Sequence, residues 1–252
     1  NNEFPINASV SSPFFDHTDN VTSALDFLNG SQSSTGTIRG VSNPAWAVLP
    51  ITAGGADPAT GRWKPVLESL IECIRNSPKL SISGMPSWTY PYNLNDLDDF
   101  AWTIIVISAV GEDPADFGDV NYLVMLRSYY DGRQFQDPDL VEDDALAILA
   151  LTACGEKNSE MVSNATDYIK TKQNENGGWS SSPGNNDIKV TSLVIQALVA
   201  AEDEDSQVID KALVFIKNMQ EDDGGFSDVI TTSYAVMAIT AAGEDPISYI
   251  SN

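Results

Sequence analysis

Apolar and polar positions along the 252-residue chain fall into two patterns that alternate strictly. In the first, apolar residues recur at spacings of three and four with polar residues between. Segments of this kind are VTSALDFLNG, WKPVLESLIECIRN, VNYLVMLRSYY, SEMVSNATDYIKTKQ and SQVIDKALVFIKNMQ. Such a helix has one buried face and one wet face. In the second pattern, NPAWAVLPITAGG, LDDFAWTIIVISAVG, VEDDALAILALTACG, IKVTSLVIQALVAA and ITTSYAVMAITAAG are apolar nearly all round. A helix of that kind needs cover on most sides. The closing sequences AGGADP, AVGEDP, ACGEKN, AAEDED and AAGEDP mark an internal repeat. Gly55 to Gly111 is 56 residues, Gly111 to Gly155 is 44 and Gly155 to Gly243 is 88, so a unit of about 44 residues occurs five times. Gly55, Gly111, Gly155 and Gly243 stand where helices commonly end with a residue of positive φ. The prediction is all-α: five helical hairpins, about ten helices, with five buried helices inside five wet ones. That arrangement is an α/α toroid or a stacked helical solenoid. Residues 1–20 read as an extended polar tail and 21–252 as one domain.

Overlaying the repeats separates structural charges from surplus ones. Arg75, Arg127, Lys170 and Lys217 share one position in the last turn of the outer helices, where a cation complements the helix dipole. Asp96, Asp187 and Asp228 share one position before an inner helix, where Asp caps free N–H groups. Asp98 and Asp99 have no such account. At their register other repeats carry Ser42 and Asn43, Lys189 and Val190, and Ile230 and Thr231. The third repeat alone is also acidic there, with Glu142, Asp143 and Asp144. If all inner helices start on one rim, the two acidic clusters face one mouth. The connection leading into the second inner helix is also the longest, 20 residues against 10 in the first and fifth repeats. It contains SISGMPSWTYPYNLN, with Trp88, Tyr90 and Tyr92, and Trp102 follows within the helix. Insertions in repeat proteins gather on one face, often the binding face. An acidic, aromatic mouth built from Trp88, Tyr90, Tyr92, Asp98, Asp99, Trp102, Glu142, Asp143 and Asp144 is the predicted ligand site. A lid that plugs the mouth with Trp88 and Tyr92 is the alternative.

Composition narrows the partners. Asp and Glu number 36 against 13 Lys and Arg, a formal net charge of -23. Such a chain repels phosphate backbones and anionic membrane surfaces, so nucleic acid is excluded as a partner. Much of the charge reads as a solvated face. The same charge favours cations, and Ca²⁺ held by Asp98, Asp99, Glu142 and Asp143 is considered, without any EF-hand spacing to support it. No apolar run reaches the ~18 residues of a membrane span. Cys73 and Cys154 form no metal pattern, and their placing near helix ends on opposite rims predicts two free thiols. Sequons start at Asn7, Asn20, Asn29 and Asn164. With the acidity and the Ser/Asn-rich start, they lean toward an extracellular or cell-surface protein. The opening NNEF lacks Met and reads as a processed or trimmed product.

QNENGGW (Gln173 to Trp179) and QEDDGGF (Gln220 to Phe226) each follow an outer helix. They resemble the QW motif of squalene-hopene cyclases, within the terpenoid cyclase and protein prenyltransferase superfamily. Relatives there include triterpene cyclases, prenyltransferase β subunits, complement thioester domains and cobalamin carriers. The resemblance implies a ring of inner helices within a ring of outer ones, complete at six hairpins. Five hairpins then imply an open ring, a ring closed by residues 1–20, or a piece of a longer protein with further domains. DLDD (Asp96 to Asp99) resembles the DxDD motif of class II terpene cyclases. That resemblance implies Asp98 as general acid, supported by Asp96 and Asp99, with Trp88, Tyr90 and Trp102 stabilising carbocations. Phe100 stands where the family usually has Thr, and the cyclases form their cavity between two helical domains, where this chain has one. The prenyltransferase zinc site needs a His, and His17 lies in the tail. CGEK (Cys154 to Lys157) resembles the complement thioester motif, but Lys157 replaces the required Gln. The resulting expectation is a secreted or cell-surface binding module for a small molecule, glycan or peptide. A class II terpene cyclase is the alternative, and carbohydrate cleavage by Asp98 with Glu142 or Asp144 is a third reading.

Overall fold

The structure is a computed structural model and describes residues 97–249, apart from 119, 181–186, 204 and 223, together with Asp26, Asn29 and Gly30. The described residues form seven α-helices and one short 3-10 turn. We label them α1 (Leu97–Ala109), α2 (Tyr122–Arg127), α3 (Val141–Ala153), α4 (Glu160–Thr171), α5 (Ile188–Ala200), α6 (Ser206–Asn218) and α7 (Val229–Ala241), followed by the turn Pro246–Tyr249. No β-strand occurs among them; Phe117–Val120 and Tyr130–Phe135 are isolated bridges. The chain divides into two compact units, one ending at Met125 and one holding Leu126–Asn252. The first contributes α1 and most of α2, and the second the rest; each is described by itself. The tail, most of the first hairpin, the outer helix of the second and Cys73 lie outside the described residues.

The alternation read from the sequence is the alternation observed. α1, α3, α5 and α7 are the apolar helices, each of 13 residues. Their β-branched runs, such as Thr103 to Ile107 in α1, would weaken an isolated helix. Burial on several sides compensates, because packing outweighs propensity. Thr103, Ile104, Ile105, Val106 and Ile107 are all buried. In the second unit α3, α5 and α7 pack side by side, with α5 between the other two. The wet-faced helices α4 and α6 cover them. α4 packs mainly on α3, and α6 packs on α5. α4 and α6 therefore each pair mainly with the inner helix before them in the chain rather than with the one that follows. The connections explain the difference. Six residues (154–159) and five (201–205) separate an inner helix from the outer helix that follows, whereas 16 (172–187) separate α4 from α5.

The helix ends follow the register. Asp187 accepts from Lys189 N at 2.8 Å and Asp228 accepts from Thr231 N at 2.8 Å, each from the N-cap position. Asp96, at the same register, lies outside the described residues. Arg127, Lys170 and Lys217 occupy the last turns of α2, α4 and α6. Arg127 pairs with Glu156, and Lys170 pairs with Asp203 at 2.8 Å, just past the end of an inner helix in each case. Lys217 lies over the Tyr249 ring, 5.5 Å from its centroid. Cys154 is a half-buried thiol whose Sγ donates to Ala150 O. The sequon at Asn164 is not displayed on a loop: it lies inside α4, its Nδ2 donates to Tyr130 Oη at 2.7 Å, and Thr166 is buried.

Gly111, Gly155 and Gly243 end their inner helices at φ +81°, +82° and +79°. In the fourth repeat Glu202 takes that place at φ 55°. A side chain in the left-handed region costs roughly 1–2 kcal/mol. Glu202 also pairs with Lys157 on the surface, where its side chain is 70% exposed and the pair is worth little. Glu202→Gly is expected to raise stability by about 0.5–1 kcal/mol, a rise in Tm of a few degrees by calorimetry. A fall in Tm would show that the Lys157 pair outweighs the backbone strain.

Candidate functional site

Three consecutive inner helices hold the aromatic loop before them in the same way. Phe135 N donates to Asp144 Oδ1 at 2.8 Å, Trp179 N to Thr191 Oγ1 at 2.9 Å, and Phe226 N to Thr232 Oγ1 at 3.0 Å. Each acceptor lies 11 residues before the positive-φ residue that closes its helix, Gly155, Glu202 or Gly243. The aromatic side chains are buried to the same end: Phe135, Trp179 and Phe226 are at most 2% exposed. Trp179 Nε1 also donates to Ile169 O at 2.9 Å, a second donor on a last-turn carbonyl of α4 that already accepts from Lys172 N. Thr191 Oγ1 returns a hydrogen to Trp179 O at 3.4 Å.

The third repeat uses a carboxyl where the fourth and fifth use a hydroxyl. Asp144 is fully buried, and its Oδ2 has no hydrogen-bond partner. Burial pushes its carboxyl up to about 7, opposed by the Phe135 hydrogen bond and helped by the charges of Asp143 and Asp131; Lys172 pulls it down. Leu140 stands at the N-cap of α3 and makes no side-chain cap. The first-turn carboxyls instead reach back to the loop. Asp143, also buried, accepts from Asp137 N at 3.2 Å through Oδ2. Asp131 organises the loop from its other side, accepting from Arg133 N, Gln134 N and Gln134 Nε2. Those bonds hold the Asp131 carboxyl below the usual range. α4 clamps the far end, since Tyr168 Oη and Lys172 Nζ both donate to Pro138 O, at 2.6 and 2.9 Å.

The predicted ligand residues thus divide. Trp88, Tyr90, Tyr92 and Asp96 lie outside the described residues. Asp98 is exposed in the first turn of α1, with Asp99 and Trp102 half-buried. Glu142 is half-buried in the first turn of α3, while Asp143 and Asp144 are buried and bonded to the loop before the helix. Asp98 and Asp99 fall in one unit and Glu142, Asp143 and Asp144 in the other. Among the described residues, no three His, Cys, Asp or Glu side chains are grouped to hold a metal ion.

A concave apolar surface lies at the start of α7. The cavity there measures about 580 Å³; its lining includes the apolar Phe226, Val229, Val236 and Met237, the hydroxyl residues Ser227, Thr232 and Ser233, and the carboxylates Glu221 and Asp228. Val229 is 83% exposed and Met237 45%. Hydrogen bonds from Thr231 lower the Asp228 carboxyl, so it stays charged there. The sequence reading placed no residue of this cavity in a site. The signal was available in the final inner helix, whose sequence ITTSYAVMAITAAG is apolar nearly all round.

These features define the class: an all-α, α/α-toroid protein of the terpenoid cyclase-like superfamily. Residues 101–250, well over half of the chain, match the squalene-hopene cyclase C-terminal domain, and the chain belongs to that family. Among solved structures it is similar to the type II terpene cyclase MstE from Scytonema in its apo form. The TM-score is 0.61 at 14% identity, covering 94% of this chain and 77% of that chain. No curated protein sequence matches it. Among the described residues, no helix is long and apolar enough to cross a membrane.

Proposed function

We propose that the protein is a binding module on a terpene cyclase-like fold, taking an apolar small molecule at the starts of its inner helices. The observation that carries this reading is the cavity of about 580 Å³ at the start of α7, which falls within the size range of small-molecule pockets. Its walls include Phe226, Val229, Val236 and Met237, and those apolar side chains favour a hydrocarbon body over a glycan. Glu221 and Asp228 in the same lining favour a neutral or cationic end group over an anionic one. The net charge of -23 acts in the same sense at longer range. A secreted or cell-surface setting, as expected from the acidity, accords with binding rather than with a metabolic role.

Cyclisation of a polyprenyl chain is the second reading, favoured by the family and by the likeness to a type II terpene cyclase. Its proposed acid, Asp98, is exposed. An acid that protonates an alkene has to meet it out of water. Asp143 and Asp144, which are buried, are engaged with their own loop.

The test is titration with the neutral apolar dye Nile red, followed by its blue shift. Saturable binding is expected, weakened about tenfold or more by Met237→Asp, which buries a charge against the dye. Met237 is 45% exposed, so this change spares the fold. No saturation, or equal binding by the variant, would refute the assignment of the pocket. Turnover of squalene that is lost in Asp98→Asn would establish the cyclase reading instead.

A further inference from the structure

The loop before α3 is fixed by a titratable group where its two counterparts are fixed by threonine. Thr191 and Thr232 each accept the aromatic N–H through a hydroxyl, and a hydroxyl carries a hydrogen at every pH. Asp144 accepts the same bond through Oδ1, but its Oδ2 is buried without a partner. A buried, charged, half-satisfied carboxylate is costly, and a neutral carboxylic acid is far less so. Gln134, in the same loop, also has a buried Oε1 with no partner. That site has acceptors to spare and lacks donors, which is the condition a proton on the carboxyl relieves.

We propose that Asp144 is a proton-operated latch for the loop Asp131–Asp137: protonated, it holds the loop against the start of α3; deprotonated, it weakens that hold. The direction agrees with the raised carboxyl, about 7 against an ordinary 3.8. The charged groups around Asp144 come from each neighbouring element. Asp143 on α3 and Asp131 in the loop oppose its ionisation, and Lys172 at the end of α4 favours it. Glu142 precedes Asp143 in the same first turn. Arg133 and Lys172 lie over the Tyr168 ring, 4.9 and 5.0 Å from its centroid. α5, which packs on α3, buries uncharged side chains, and its Lys189 acts on Asp228. Ionisation of Asp144 thus adds a third negative charge beside Asp143 and Asp131 and removes the hydrogen that threonine keeps. The loop gives way first, because Phe135 N–H, Asp137 N–H and Pro138 O are its anchors on this side of the fold.

The test is amide hydrogen exchange across residues 131–137 on the whole chain between pH 5.5 and 8.5, corrected for intrinsic rates. Protection of Phe135 N–H is expected to fall about tenfold or more over that range, since one unit of pKa shift is a tenfold change in equilibrium. In Asp144→Asn, which keeps the acceptor and supplies a permanent donor, the profile is expected to be flat. The Trp179 amide, held by Thr191, is the internal control and should not change with pH in the same way. Carbon NMR of the Asp144 carboxyl in the unaltered protein reads the titration without any variant, and an inflection near neutrality is expected. An inflection in the ordinary carboxylate range, or a loop whose protection follows pH equally in Asp144→Asn, would overturn the proposal.

Discussion

Gly177→Ala is expected to destabilise the protein by about 3–5 kcal/mol, among the largest effects of any single methyl group in the chain. Two costs coincide there. Gly177 has φ +91°, where an L side chain pays roughly 1–2 kcal/mol. A Cβ at that position would also stand 2.3 Å from Lys211 O and 2.7 Å from Lys211 C. Both are backbone atoms in the middle of α6, so no side chain can swing aside. The loop cannot retreat either. Gln173 Nε2 donates to Gly177 O and to Val208 O, both at 2.9 Å, tying the loop to the first turn of α6. Gly178 is pressed against the Phe215 ring, with a notional Cβ 3.0 Å away. Displacement would draw Trp179 out of its buried site between Ile169 O and Thr191. Gly224 supplies the control, having φ +84° with nothing within 4 Å of a Cβ. Gly224→Ala should therefore cost only the backbone term, about 1–2 kcal/mol. Urea unfolding of both variants separates the two costs. If Gly177→Ala matches Gly224→Ala within about 1 kcal/mol, the close approach to α6 has no energetic weight.

The alternation of wet and apolar helices was legible because it depends on local periodicity. An amphipathic helix such as Glu160–Thr171 and an apolar one such as Ile188–Ala200 differ at every turn. The caps at Asp187 and Asp228 and the closing glycines were legible for the same reason, since a helix end is a local event. Which helices pair was less legible. The repeat was divided at the loop after each outer helix's partner, whereas the short connections join each inner helix to the outer helix that follows. Periodicity gives the unit length but not where the unit is cut. The candidate site was least legible. Glu142, Asp143 and Asp144 looked like one cluster facing the mouth, because the first, fourth and fifth repeats carry no acidic residues at that register. Which carboxyl turns inward depends on a loop nine residues earlier, where Phe135 presents its N–H to Asp144. Counting back from Gly155 shows Asp144 in the place of Thr191 and Thr232, but only the hydrogen bonds give that register a meaning. The α7 cavity rests on side-chain exposure at Val229 and Met237, which an apolar helix pattern alone cannot distinguish from burial.

The same register makes a second large prediction, that Asp144→Thr stabilises the protein by several kcal/mol at pH 8 and much less at pH 5. The sign follows from proton linkage. The folded state holds the Asp144 proton to about 7, against 3.8 for an ordinary aspartate carboxyl. A raised pKa contributes stability that is complete below the unfolded value, declines as pH climbs, and is lost once pH passes the folded value. Over that window the loss amounts to about 4 kcal/mol for a shift of this size. Threonine at the site has no such term and keeps the bond to the loop, as Thr191 and Thr232 do. Two other carboxyls act in the opposite sense and at lower pH. Hydrogen bonds hold Asp131 and Asp228 below the ordinary range, so their contributions are lost only as the solution becomes acid. Self-repulsion from the net charge of -23 also weakens the protein as the other carboxyls ionise, but it acts on both forms alike. The informative quantity is accordingly the difference between the unaltered protein and Asp144→Thr, measured by urea unfolding at pH 5, 6.5 and 8. A difference that widens with pH and levels off near neutrality is the expected result. A constant difference would mean that Asp144 is already charged in the fold at pH 5, and that its second oxygen finds a donor from a side chain or from water.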